Sequence, residues 1–136
     1  MDKFVIEEDI TVIYVKAETF PMGVGGAFKK LHSLLSEPDK RQLYGISNPE
    51  NGEEIIYRAA AAEAYPGEGK ENGFDTFLIR KGTYIGLYLA SWEKDESGVG
   101  KAFGQLLSYP GIDPKGYCLE IYVGDKDIHC LVPLIN

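Results

Sequence analysis

The side chains able to do chemistry are concentrated near the C-terminal end of this chain, in GYCLEIYVGDKDIHCLVPLI over 116–135. One carboxylate, Glu120, stands in the middle of an alternating apolar run, with Tyr, Cys and His residues around it. Read as a hairpin turning on Asp125 and Lys126, the run sets Val123 opposite Ile128, Tyr122 opposite His129, Ile121 opposite Cys130 and Glu120 opposite Leu131. Period-two alternation then collects Tyr117, Leu119, Ile121, Val123, Ile128, Cys130, Val132 and Leu134 on one uniformly apolar face, suited to lie under helices. Glu120 goes to the other face with Cys118, Tyr122, His129 and Leu131. On the preceding long strand the same parity turns Ile85, Leu87 and Leu89 toward the helices and Tyr84, Gly86, Tyr88 and Ala90 away from them, and Trp92 continues the second set. A carboxylate among tyrosines and a tryptophan is costly to desolvate unless it meets hydrogen-bond donors or a cation. Aromatic faces attract positive charge and the carboxylate neutralises it, so Glu120, Tyr84, Tyr88, Trp92 and Tyr122 suit an organic cation in a cleft on the face away from the helices. The same parity also describes a solvated sheet face with Glu120 on the surface.

Other chemistries find less support. His32, His129, Cys118 and Cys130 show no CxxC, HxxxH or HExxH spacing, so no metal and no cofactor is expected. The two cysteines read as apolar fillers in a reducing compartment. GVGK at 98–101 invites a phosphate-loop reading, yet the places that need Gly and Ser or Thr hold Asp95 and Ala102. Neither glycine pair continues to the third glycine of a dinucleotide fingerprint, and no Ser-His-Asp, Cys-His or paired-carboxylate constellation is visible.

The elements that would position Glu120 come from a repeat. GVGGAFKKL at 23–31 and GVGKAFGQL at 98–106 share Gly, Val, Gly, Ala, Phe and Leu at one fixed offset. Each copy follows a strand-like stretch (ITVIYVKA at 10–17, YIGLYLAS at 84–91) and precedes another (RQLYGIS, GYCLEIYV). Two copies are too few for a solenoid and predict a duplicated half-domain closed by a pseudo-twofold axis, with halves at about 1–64 and 74–136. The order β-α-β-β is expected twice: a β-rich stretch over 4–17, a helix from Pro21 to about Ser36, and a hairpin of 42–48 with 54–64 turning at Asn51-Gly52; then a strand over 74–91, a helix from about Gly98 to Ser108 with Ser97 as its N-cap, and the last hairpin. Val24, Ala27, Phe28, Leu31, Leu34 and Leu35 fall at helical spacing, and Ala59 to Ala62 read as strand because a hairpin turn precedes them. Residues 65–73 have the composition of a solvated connecting loop, and the helix glycines read as permitting close helix packing. The predicted class is α+β: an antiparallel sheet with two helices on one face and a ligand cleft on the other.

Composition bounds the partners. With 136 residues, 44% of them hydrophobic, the chain reads as one domain with its own core. A formal net charge of −7 and the absence of any Lys/Arg run argue against direct nucleic-acid binding. No apolar run is long enough to span a bilayer and no leader pattern opens the chain, so a cytoplasmic location and no membrane partner are expected.

The doubled β-α-β-β order, Gly45-Ile46-Ser47-Asn48-Pro49 after the first helix, Lys81-Gly82-Thr83-Tyr84 at the second long strand and Leu119-Glu120-Ile121-Tyr122 in the last hairpin together resemble the gyrase-inhibitor-like small-molecule-binding domains. Those domains also form the effector-binding parts of AraC-type and MerR-type transcription regulators. The resemblance covers nearly the whole chain. It implies that Glu120 sits in a cleft between the halves and binds cationic, aromatic, drug-like ligands. It also implies aromatic walls from Tyr57, Tyr84, Tyr88, Trp92 and Tyr122, of which Tyr84 stands in a matching motif. The helix-turn-helix domain of the regulators has no counterpart here, so a stand-alone version is expected, with a link to transcription regulation or toxin sequestration. Two alternatives follow from the same resemblance: a hydrolase that opens strained rings in natural products, and a protein-binding inhibitor of DNA gyrase.

Overall fold

The computed structural model of the chain describes residues 1–50 and 54–135. In chain order it forms β1 (Asp2–Ile6), β2 (Ile10–Lys16), α1 (Val24–Leu34), β3 (Leu43–Glu50), β4 (Glu54–Ala62), α2 (Glu68–Glu71), β5 (Thr76–Ile79), β6 (Gly82–Leu89), α3 (Ser97–Leu107), β7 (Cys118–Val123) and β8 (Asp127–Pro133). The strands make one antiparallel sheet in the order β1-β6-β8-β7-β3-β4-β2-β5. Exchanging each strand of the first half for its counterpart in the second (β1 with β5, β2 with β6, β3 with β7, β4 with β8) turns this order into its own reverse. That is the signature of the expected pseudo-twofold axis, which passes through the β3–β7 junction. Each half carries one strand more than the repeat reading gives: Arg80 and Lys81 break the stretch 74–91 into β5 and β6, with Gly82 at φ 138°, and Glu7–Asp9 separate β1 from β2. The Asn51-Gly52 turn lies outside the described residues.

Connectivity forces the sheet to curl. β1 and β2 are joined by three residues, and β5 and β6 by two, yet each pair is split between opposite ends of the sheet. Such short links reach only if the two edges swing toward each other. The Lys81 N–H donates to Asp9 Oδ1 at 2.8 Å and ties the two links together. The curl encloses a helix-free core of Ile6, Val12, Ile46, Ile79, Tyr84, Leu119 and Leu131, so both faces of the sheet are buried.

Both long helices cover the other face. The repeated Ala and Leu are the seats: Ala27 and Leu31 of α1 pack on Ile13, Ala59 and Ala61, while Ala102 and Leu106 of α3 pack on Ile85, Ile128, Cys130 and Val132. Under α1, alanines on both helix and strand let the helix axis approach the sheet; under α3 only the helix supplies one. Ala59 to Ala62 are strand, as the hairpin logic requires.

Three local readings change. The 65–73 segment is fastened rather than merely solvated, because α2 carries Glu68, only 6% exposed, which takes a bidentate ion pair from Arg41 (2.5 and 2.7 Å) and the Ala64 N–H (2.8 Å). Ser97 opens α3 without capping it, its hydroxyl donating instead to Asp95. The helix glycines do not mediate packing. A Cβ on Gly25, Gly100 or Gly104 would meet nothing within 4 Å, whereas one on Gly23 would collide with the Thr19 backbone at 2.7 Å. Gly104→Ala, inside α3, should therefore stabilise the fold by about 0.5–1 kcal/mol through the unfolded chain's entropy, visible as a raised urea midpoint at unchanged m.

Candidate ligand-binding cleft

The β7–β8 register decides where Glu120 points. Val123 pairs with Asp127, Tyr122 with Ile128, Ile121 with His129, Glu120 with Cys130 and Leu119 with Leu131, one residue away from the register expected from a turn on Asp125 and Lys126. Gly124 adopts φ 59° and makes the connection three residues long. A one-residue slip reverses every side chain of a strand. Leu119 thus enters the helix-free core, and Cys118, Glu120 and Tyr122 face the helices. The cleft is on the helix side, not on the face away from it. A uniformly apolar face is no guide to the helices when the curled sheet buries both faces.

Glu120 is also the point nearest the axis. It pairs with Gly45 across the β3–β7 junction, and the spacing from Gly45 to Glu120 equals that from Gly23 to Gly98, so the two are repeat equivalents meeting at the axis. One half supplies the carboxylate and the other supplies space: a Cβ on Gly45 would lie 2.0 Å from the Tyr57 hydroxyl and 2.2 Å from Glu120 Oε1. Around this pair opens a cleft of about 1460 Å³. The repeated apolar residues of both helices form its walls, Val24 and Phe28 from α1, Val99 and Phe103 from α3.

The Tyr57 hydroxyl donates to Glu120 Oε1 at 2.6 Å and the Tyr122 hydroxyl donates to the same oxygen at 3.1 Å; the two hydroxyls are 3.1 Å apart. Among the described residues Oε2 accepts no hydrogen bond, and no Lys, Arg or His pairs with the carboxylate. Desolvation raises the Glu120 pKa above the ordinary carboxylate range, against the opposing pull of the two phenol hydrogen bonds. Tyr57 and Tyr122 are pushed well up by burial and by the adjacent carboxylate, so both remain neutral donors. Burial, with Glu120 nearby, pushes the Cys118 thiol up to about 11. That leaves it a poor nucleophile.

Aromatic rings continue outward from the carboxylate. Phe20 stacks on Tyr57 at 5.6 Å, Phe28 meets Tyr122 edge-on at 5.5 Å, and Trp92 meets Tyr122 at 5.9 Å. Glu93, Glu96, Asp125 and Asp127 line the α3 side of the cleft, while Arg41, on the other side, is committed to Glu68. Of the residues singled out in the sequence, Glu120, Tyr57, Trp92 and Tyr122 come together here. Tyr84 and Tyr88 do not. Both lie on the helix-free face, as their own strand's parity requires. Tyr84 is 1% exposed and bonded to the Tyr117 hydroxyl and the Arg80 carbonyl, both at 2.6 Å; it lines a separate cavity of about 130 Å³, too small for a drug-sized ligand. Tyr88 is 51% exposed and donates to Asp127 Oδ2 at 2.6 Å. Phe20 and the inward role of Phe28 were missed. Phe28 looked like helix core, and its recurrence as Phe103 was the available signal.

Among the described residues no cluster of His, Cys, Asp or Glu is placed to hold a metal ion, and no helix is long and apolar enough to cross a membrane. Fold and site together define an α+β domain whose curled antiparallel sheet and paired helices enclose an acidic, aromatic cleft. No family model matches the sequence, and no curated protein matches it. Solved structures do match the fold. The chain is similar to SAV2435 bound to tetraphenylphosphonium (TM-score 0.66, 12% identity, covering 100% of this chain and 95% of that one). It is similar to a candidate bacterial transcription regulation protein from Staphylococcus aureus MU50 (TM-score 0.64, 13% identity, 100% and 99% covered). A hydrolase from Listeria innocua is a more distant match (TM-score 0.55, 9% identity, 98% and 90% covered).

Proposed function

We propose that this protein binds bulky aromatic organic cations in the cleft between α1 and α3, with Glu120 as electrostatic anchor and Tyr57, Tyr122 and Trp92 as aromatic contacts. The observation that carries the reading is a desolvated carboxylate that, among the described residues, has one oxygen left open and no cationic partner, set among aromatic rings. Such a group gains most from a weakly hydrated cation that brings its own apolar surface. The similar fold of a tetraphenylphosphonium-bound protein and of a candidate regulator agrees with a ligand-sensing domain. The test is titration with tetraphenylphosphonium and with neutral triphenylphosphine oxide, read by the fluorescence of Trp92, the sole tryptophan. Saturable binding of the cation with much weaker binding of the oxide is expected; equal binding of both would refute the anchor.

The raised pKa adds a pH test. Below it Glu120 is neutral and the cation loses its partner, so affinity should fall as pH drops through the raised value, whereas a Glu120→Gln variant should give a flat profile. For folding the sign is opposite. A carboxyl whose folded pKa is raised contributes stability that is present below the unfolded value and is lost as pH rises through the folded one.

A second reading rests on the same triad. A carboxyl held above its usual pKa by burial and touched by two neutral phenols is equipped to act as general acid or base on a bound ligand. Mass spectrometry of candidate strained-ring substrates after incubation separates the two. Turnover abolished by Glu120→Gln would establish hydrolysis, and recovery of unchanged ligand would exclude it for the compounds tried.

A further inference from the structure

We infer that the preferred ligand of this cleft is two-armed: a cation seated at the axis over Glu120 with two similar aromatic arms, one against each helix. The inference rests on the anchor role of Glu120 and adds the shape of the molecule.

Three features of the cleft carry it. Glu120 and its repeat equivalent Gly45 meet at the pseudo-twofold axis, so the charge occupies the one position that both halves approach alike. The two walls then share a Val and a Phe at matching positions, Val24 and Phe28 on one and Val99 and Phe103 on the other, and differ further along, where Lys29 and His32 stand against Gly104 and Leu107. Finally, the repeat keeps a glycine beside each phenylalanine. Gly25 and Gly100 both line the cleft, and a Cβ on either would meet no protein atom within 4 Å. Each is three residues before its phenylalanine, hence on the same helix face one turn away. Two equivalent bays flank one central charge. A ligand with a single arm can fill only one of them, leaving the other apolar surface wet.

A matched pair of quaternary ammonium ions tests this by isothermal titration calorimetry: bis(naphthylmethyl)dimethylammonium and (naphthylmethyl)trimethylammonium, which differ in one arm. Burying the second ring should make the two-armed ion bind about tenfold tighter or more. Gly25→Leu and Gly100→Leu each project a side chain into one bay from an open Cβ position and favour their helices, and a thermal melt would verify that both fold. Each should remove most of the two-armed advantage. On the one-armed ion each should cost no more than about twofold, the statistical loss of one of two equivalent seats. The proposal is overturned if the two ions bind the parent equally, or if either leucine weakens both ions alike. Glu120→Gln separates this from the anchor role. If it weakens both ions while the second arm adds nothing, only the two-armed shape falls; if it weakens neither, or neither ion binds the parent, both readings fall.

Discussion

Glu120→Gln should weaken binding of tetraphenylphosphonium by about tenfold to about a hundredfold, the roughly 1.5–3 kcal/mol of a charge-assisted contact in a desolvated site. Glutamine keeps the shape and still offers an oxygen to the Tyr57 hydroxyl, so the change isolates the charge. The neutral phosphine oxide should be nearly indifferent. Stability should move the other way. Because desolvation already raises the pKa of this carboxyl, its ionised form near neutral pH works against the fold, and the neutral amide removes that load. A melting temperature that holds or rises while cation affinity collapses would mark Glu120 as kept for binding at a cost in stability. An unchanged dissociation constant, or equal losses for the cation and the oxide, would rule out the anchor. Double substitution with Tyr122→Phe then apportions the second phenol, since the interaction of the two changes measures their coupling.

The arrangement that makes this experiment sensible was only partly legible in the sequence. Periodicity found both long helices, and the GVGxAFxxL repeat found the pseudo-twofold relation, because helix seats are local and recur as identical letters. The strand parity of β6 was also readable: Ile85 packs under α3, and Tyr84 lies on the far side. The parity of β7 was not. It depended on whether the turn at Gly124 holds two residues or three, a difference of one position that no period-two pattern can detect, because every alternating strand fits both registers. The apolar character of Tyr117, Leu119 and Ile121 predicts contact with helices; these residues instead fill the interior of the curl. The offset of the repeat, continued from the helices into the strands, makes Gly45 and Glu120 equivalents. Equivalent residues can pair directly only at an axis, and the helices are arranged about that axis. On that basis Tyr122 shares the face of Glu120 while Tyr84 and Tyr88 lie opposite it; Trp92, which strand parity groups with Tyr84 and Tyr88, reaches the helix side because β6 ends at Leu89.

Gly45→Ala tests that geometry at its centre and should have the larger structural effect. The new Cβ would stand 2.0 Å from the Tyr57 hydroxyl, 2.2 Å from Glu120 Oε1 and 2.8 Å from Tyr57 Cζ, so both side chains must give way unless the backbone yields. Tyr57 has nowhere easy to go, being 2% exposed and held by Phe20 and Phe28. Overpacking at such a site costs about 1–3 kcal/mol, and displacing the phenol from the carboxylate adds the loss of a hydrogen bond worth about 1 kcal/mol. Cation binding should fall with it, because Glu120 would be pushed off the axis. The rescue is specific. Tyr57→Phe removes the oxygen nearest the new Cβ, so in urea unfolding the double variant should be more stable than the sum of the two single changes by about 1 kcal/mol. Strict additivity would mean that the backbone yields at Gly45 instead, and that the empty position opposite Glu120 is not what holds the carboxylate and the phenol in place.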